Sequence, residues 1–224
     1  KSEFNNELEF KNVTFSFKGR EKVFENIDLK IKKNKIYGLV GDSGSGKSTF
    51  VNLLTGLLKP ESGKILIDGN EIVLNLEKFR GIVGYVPQDI FLLDDTILRN
   101  ITFGLDIKKV DMSKINEVIK LTNLQKFVDQ TKDSLNAVVG EKGSRISGGQ
   151  KQRLGLARAL YRDPRILILD EATNALDQEN EDKILDIIKK LKNVTTILVS
   201  HHERPLKICE SILKIENKKI IYKS

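Results

Sequence analysis

The sequence predicts an α/β fold: a core of buried strands carrying a phosphate-binding loop, an antiparallel β layer near its amino end, and a helical segment inserted in the core. Three observations carry this. The octapeptide Gly41-Asp42-Ser43-Gly44-Ser45-Gly46-Lys47-Ser48 fits G-x-x-x-x-G-K-[ST] and follows the apolar run Ile36 to Val40. Leu8, Phe10, Val13, Phe15 and Phe17 alternate in the manner of a strand. From about Asp94 to Arg162 strand signals give way to helical periodicity, as in Ile115, Val118 and Ile119.

Taken in order, Leu8 to Phe17 and Ile27, Leu29, Ile31 flank a turn at Lys18-Gly19 and read as the antiparallel layer. Ile36 to Val40 is the short buried strand that delivers the phosphate-binding loop. Gly41, Gly44 and Gly46 allow backbone conformations closed to other residues, so that successive N–H groups converge on phosphate oxygens at the positive end of the next helix. Lys47 then reaches the β- and γ-phosphates, and the Ser48 hydroxyl suits Mg²⁺. Phe50, Leu53, Leu54 and Leu57 give that helix an apolar face. Further strands are expected at Lys64 to Ile67, Ile82 to Val86, Ile166 to Leu169, Thr195 to Val199, Ile212 to Ile215 and Lys219 to Tyr222. The resulting organisation is one domain over 1–224, with an α/β core at 1–93 and 163–224 and a helical subdomain at about 94–162.

Composition sets limits on partners. No apolar stretch approaches the roughly 18 to 20 residues needed to cross a bilayer, and the amino end has no apolar signal region. The chain begins at Lys1, as a piece of a longer polypeptide would, although processing would look the same. The single cysteine, Cys209, excludes an internal disulfide and any multi-cysteine metal site, which fits a reducing compartment; it reads as a packed residue. A net charge of +7 permits anionic partners without choosing among them, because the lysines are scattered among acids. With no Trp and four Tyr, no basic and aromatic interleaving marks a nucleic-acid groove.

Two further motifs carry chemistry. Ile166 to Leu169 followed by Asp170 and Glu171 is how a buried parallel strand delivers acids at its carboxyl end, facing the phosphate-binding loop. Asp170 suits the Mg²⁺ shell through water, and Glu171, turned differently, suits orienting and deprotonating the attacking water. Ile146-Ser147-Gly148-Gly149-Gln150 opens a helical run to Tyr161, with Ser147 as its cap and the two glycines suited to a second anion site.

With these residues assembled, the chain resembles the nucleotide-binding domain of ATP-binding cassette (ABC) transporters, whose LSGGQ signature stands here as ISGGQ. The resemblance covers nearly the whole chain with its motifs in the family's order. It implies a P-loop NTPase (RecA-like) core, the ABC ATPase fold, with ATP and Mg²⁺ as cofactors. It places nucleotide contacts at Gly41, Asp42, Ser43, Gly44, Ser45, Gly46, Lys47, Ser48 and Thr49, and at Ser147, Gly148, Gly149 and Gln150. It implies that Phe17 stacks on adenine, where the family usually has Tyr. Gln88 matches the loop glutamine that touches Mg²⁺ and the attacking water. Asp177, in Asn174-Ala175-Leu176-Asp177, matches the loop that crosses the dimer interface, and His201 the switch histidine on the γ-phosphate. His202, where exporters commonly carry Arg, is given no role.

Val139-Gly140-Glu141-Lys142-Gly143 resembles a stretch that exporters place against their membrane domains. The resemblance therefore implies the ATP-hydrolysing motor of an exporter, working as a head-to-tail dimer around two MgATP. Its transmembrane domain would lie on the amino side, and the motor on the cytoplasmic face of the cell (inner) membrane, with no nucleic-acid partner. Phe91-Leu92-Leu93-Asp94-Asp95-Thr96-Ile97 resembles flippases of lipid-linked oligosaccharides and polysaccharides, while peptides, drugs and other lipids stay open as cargo. Two alternatives remain at this point: a cassette ATPase acting on nucleic acid or ribosomes, and a regulatory module that binds nucleotide without turnover.

Overall fold

The computed structural model describes residues 4–173 and 176–223. Asn174 and Ala175, quoted above with Asp177, lie outside the described residues. The described chain forms two compact units, the first comprising 4–83, Arg165–Leu169 and 192–223, the second Gly84–Pro164 and Asp170–Leu191.

In chain order the elements are β1 (Glu7–Ser16), β2 (Lys22–Lys32), β3 (Ile36–Val40), α1 (Lys47–Leu54), β4 (Ser62–Ile67), β5 (Asn70–Glu71), α2 (Leu76–Arg80) and β6 (Val83–Val86). After these come α3 (Ile97–Ile101), α4 (Met112–Leu121), α5 (Gln125–Gln130), α6 (Gly148–Tyr161), β7 (Ile166–Asp170) and α7 (Gln178–Lys190). The chain ends with β8 (Thr195–Val199), α8 (Glu203–Leu206), β9 (Ser211–Glu216) and β10 (Lys219–Lys223). No helix among the described residues is long and apolar enough to cross a membrane.

Within the first unit, β2-β1-β4-β5 make an antiparallel sheet, as the alternating amino-terminal stretch predicts. The phase change between Phe10 and Val13 is a bulge: Asn12 takes φ 49°, and the pairing of β1 with β2 shifts register there. The second sheet has, within this unit, the order β10-β9-β3-β8-β7. Here β3 pairs in parallel with β8 and β9, while β10 returns antiparallel to β9. β7 is apolar from Ile166 to Leu169, and β8 is buried throughout, with Thr195 and Thr196 ahead of its apolar Ile197 to Val199, as burial on both faces demands. Phe50 of α1 stacks on Phe10 (centroids 5.1 Å apart) and meets Phe24 edge-on (6.5 Å), so the helix behind the phosphate-binding loop is pinned to the antiparallel sheet by aromatic packing.

One expectation fails in α1. Leu57 is not on its apolar face; it lies past the helix end and is 63% exposed. Gly56 takes φ +70°, the Leu57 N–H donates to the Asn52 carbonyl and the Gly56 N–H to that of Leu53, a Schellman stop that ends the helix one turn early.

Within the second unit, α4 buries Ile115, Val118 and Ile119 as predicted, and α6 buries Leu154, Leu156, Ala157 and Leu160. A Cβ on Gly155 would stand 2.2 Å from Ile90 Cδ1, so this glycine is what lets α6 close on its neighbour. Arg158 ties α6 to the segment before it, donating to the carbonyls of Asn100 and Phe91 at 2.8 Å each. Asn100, wholly buried, in turn donates to the carbonyls of Leu93 and Thr96.

Candidate nucleotide site

In the first unit the site begins where β3 ends. Gly41 cannot carry a side chain, because its Cβ would stand 2.5 Å from Ser45 Oγ and 3.1 Å from the Ile215 carbonyl oxygen. Gly46 is the cap of α1 at φ 110°, with a Cβ position 2.8 Å from Val23 Cγ1. Backbone conformation and crowding both require glycine there. Lys47 is buried, and its ammonium donates to the carbonyls of Gly41 and Asp42, each at 2.9 Å. The loop thus folds around the cation at its own helix start. Ser45 Oγ is buried with no hydrogen-bond partner among the described residues, an orphan that a phosphate oxygen would satisfy. Asp42, Ser43, Gly44 and Ser48 are exposed, whereas Thr49 is buried.

Phe17 and His201 belong to the same unit. Phe17 packs in a T-shaped pair with Phe15 (5.0 Å, 87°) and stays 40% exposed. His201 is exposed on the turn after β8. Ser200, almost fully buried, fixes that turn: its Oγ accepts from the His202 N–H at 3.0 Å. The role of Ser200 was not read from the sequence.

The second unit holds Gln88, Ser147 to Gln150, Asp170, Glu171 and Asp177. Asp170 is the last residue of β7 and accepts from the Tyr85 hydroxyl at 3.0 Å. Glu171 follows in the left-handed region, φ 51°, half-buried. Most other non-glycine residues with positive φ are Asn or Asp, which tolerate it; a glutamate held there is strained by roughly 1–3 kcal/mol, and such strain gathers at functional positions. Gln88 is exposed, and its carbonyl accepts from Gln152 Nε2 at 3.2 Å, which fastens its loop to α6.

Ser147 caps α6 as predicted, within a full capping box: its Oγ accepts from the Gln150 N–H at 3.2 Å, and Gln150 Oε1 accepts from the Ser147 N–H at 2.8 Å. Gln150 is therefore committed to the cap. Ser147 and Gly148 face solvent, and a Cβ on Gly148 would meet nothing within 4 Å. Gly149 is buried against Asn180, whose Oδ1 would lie 2.7 Å from an added Cβ. Asn180 also donates through its N–H and its Nδ2 to Asp177, both at 2.8 Å. Those bonds lower the Asp177 pKa from its ordinary value, the backbone bond most. Asn180 thus joins the signature glycine to Asp177. Its signal in the sequence is the spacing Asp177-x-x-Asn180 at a helix start.

No cluster of three or more His, Cys, Asp or Glu able to hold a metal occurs among the described residues. The half-buried Asp170 carboxylate is a donor of the kind that suits Mg²⁺, an ion normally carried by nucleotide phosphates and water with one or two carboxylates rather than by a protein cage. Cys209 is mostly buried near Gly38, and burial pushes its thiol up to about 12, as befits a packed residue.

Residues 24–174 match the family described as ABC transporter. A protein of Rickettsia typhi described as an export ATP-binding/permease protein is 43% identical over 218 residues, covering 96% of this chain and 38% of the relative. An ATP-dependent lipid A-core flippase of Ralstonia nicotianae is 39% identical over 220 residues, covering 96% and 37%. Among solved structures, a bacterial Atm1-family ABC exporter with ATP bound superposes with a TM-score of 0.88 at 31% identity, over 98% of this chain and 39% of that one. The chain spans about two fifths of the length of these relatives. The phosphate-binding loop, the capped ISGGQ helix and these likenesses together lead to one conclusion: the chain belongs to the ABC transporter family, has the ABC ATPase fold, and is an ATP-binding domain whose relatives are exporters and a lipid flippase.

Proposed function

We propose that this chain is the ATP-hydrolysing motor of an ABC exporter, dimerising head to tail around two MgATP to drive export or lipid flipping by an attached membrane domain. The observation that carries the reading is a pair of glycine-rich helix starts built to different ends. One wraps a buried lysine and keeps a hydroxyl, Ser45 Oγ, with no partner among the described residues; the other is capped by its own side chains and turns Ser147 and Gly148 outward. The first suits holding a nucleotide and the second suits covering one held by another copy.

In this reading Gly41 to Thr49 cradle the phosphates, Lys47 neutralises the β- and γ-phosphates, and Phe17 stacks on adenine. Ser48, Gln88 and Asp170 would hold Mg²⁺, Asp170 through water; the ion supplies charge neutralisation on the β- and γ-phosphate oxygens. Glu171 orients and deprotonates the attacking water, and His201 contacts the γ-phosphate. Asp177 and Ser147 to Gln150 belong to the dimer interface. The division into an α/β core (1–93, 163–224) and a helical subdomain (about 94–162) is part of the same proposal. So are a membrane domain on the amino side and a place on the cytoplasmic face of the inner membrane. Bound ATP favours the closed dimer because its γ-phosphate adds contacts from the partner, and hydrolysis removes them.

Mixing Lys47→Ala chains with Ser147→Arg chains tests the shared site. A mixed dimer keeps one site with both halves intact, whereas each pure dimer has none, so ATPase activity should recover on mixing. Absence of recovery, with both variants folded and the two sites able to fire independently, would overturn the shared site.

A further inference from the structure

Tyr85 lies on β6, three residues before Gln88, where strand alternation buries Gly84 and Val86 and turns Tyr85 outward. Its hydroxyl crosses 85 positions of sequence to donate to Asp170 Oδ2 at 3.0 Å. Both residues belong to the second unit. A tyrosine that is 40% exposed could give its proton to water; here it gives it to a half-buried carboxylate, in a charge-assisted bond stronger than a neutral one.

The bond matters because an aspartate's last torsion is soft. A carboxylate at a strand end rotates broadly about χ2 unless something holds one of its oxygens. Mg²⁺ demands near-octahedral geometry, and a group serving its shell works best when oriented beforehand. The bond from Tyr85 by itself uses about one of the roughly four lone-pair positions of a carboxylate, so it does not compete with service to a metal-bound water.

We propose that Tyr85 is a positioning residue for Mg²⁺: by donating to Asp170 Oδ2 it holds that carboxylate in the orientation that serves the metal's water shell, and it ties Asp170 to the strand leading into Gln88. The inference rests on the reading of Asp170 as a Mg²⁺-shell carboxylate, and adds to it a residue that reading does not contain. Tyr85 touches neither nucleotide nor reacting atoms; it acts through Asp170.

The test is Tyr85→Phe in the 224-residue chain, which keeps the ring and removes the hydroxyl. Binding of a fluorescent ATP analogue is titrated in EDTA and then across Mg²⁺ concentrations, with a thermal melt to confirm folding. Affinity in EDTA should equal that of the parent chain, while the Mg²⁺ concentration giving half of the metal-dependent tightening should rise about tenfold, as when an outer-shell partner of a metal group is lost. In an Asp170→Ala background the same change should add nothing, because the two residues act as one unit. An unchanged Mg²⁺ midpoint overturns the proposal, and so does an equal loss of affinity in EDTA, which would make Tyr85 a prop of the nucleotide cleft. If the parent chain itself shows no Mg²⁺-dependent tightening, the reading of Asp170 falls and takes this inference with it, a failure visible before any substitution.

Discussion

The starts of α1 and α6 are both glycine-rich and both read as anion sites, yet they are built differently. Gly46 caps α1 in a left-handed conformation with no side-chain hydrogen bond to the first turn, and the residue after it is the buried Lys47. The first N–H groups of any helix lack partners inside it, so here the helix forgoes a cap's stabilisation and keeps its donors for an anion from outside. At α6 the Ser147 and Gln150 side chains satisfy two such donors within the chain. The second start stands complete by itself and offers an open surface, Ser147 and Gly148, rather than a cradle. One glycine motif therefore gives up stability to bind, and the other is stable before anything binds.

The largest expected effect separates the two starts directly. Lys47→Ala should weaken nucleotide binding to the monomeric chain by about 3 kcal/mol, roughly a hundredfold, because charge-assisted contacts to phosphate are lost. Ser147→Ala should leave monomer affinity as it was if, as proposed, the signature serves a nucleotide held by a second copy. Equilibrium binding at protein concentrations too low for dimers makes the measurement. Equal losses in the two variants would break the comparison.

A second contrast uses the glycines. Gly46→Ala forces φ 110° on an L side chain and drives its Cβ to 2.8 Å from Val23, which should cost about 1–3 kcal/mol of stability in urea denaturation. Gly148→Ala meets open space and should stay within about 0.5 kcal/mol of the parent. A destabilised Gly148→Ala would mean that the exposed start is packed as tightly as the cradle.

These contrasts also mark what the sequence could disclose. The octapeptide, the strand beneath it and the Ser147 cap were legible because each is a local pattern with a local cause: glycines where backbone must approach, a serine three residues ahead of a glutamine. Leu57 misled because apolar spacing continues across Gly56, while the left-handed conformation of that residue stops the helix. Asn180 was legible in principle, as the partner of a capping Asp177. The bonds of Tyr85 to Asp170, Gln152 to the Gln88 carbonyl and Arg158 to Asn100 were not, since they join residues 85, 64 and 58 positions apart. Periodicity predicts which face of an element is apolar, and it carries no information about which polar side chain a tertiary fold brings to which carbonyl.

The smallest effect tests whether the cap of α6 is a matter of stability alone. Ser147→Ala removes the acceptor for the Gln150 N–H and should lower stability by about 1 kcal/mol, the usual cost of losing a serine cap. Ser147→Asp restores an acceptor of equal rank, and its negative charge lies favourably at a helix start, so stability should return to within a few tenths of a kcal/mol of the parent. The same charge would face the phosphates of a nucleotide held by a second copy, so the restored fold should still fail to form the ATP-bound dimer when Glu171→Gln is added to trap it. Size-exclusion chromatography with MgATP, read beside urea denaturation, separates the two roles. If Ser147→Asp recovers both stability and dimer, the start of α6 does not meet phosphate, and its difference from α1 is one of folding only.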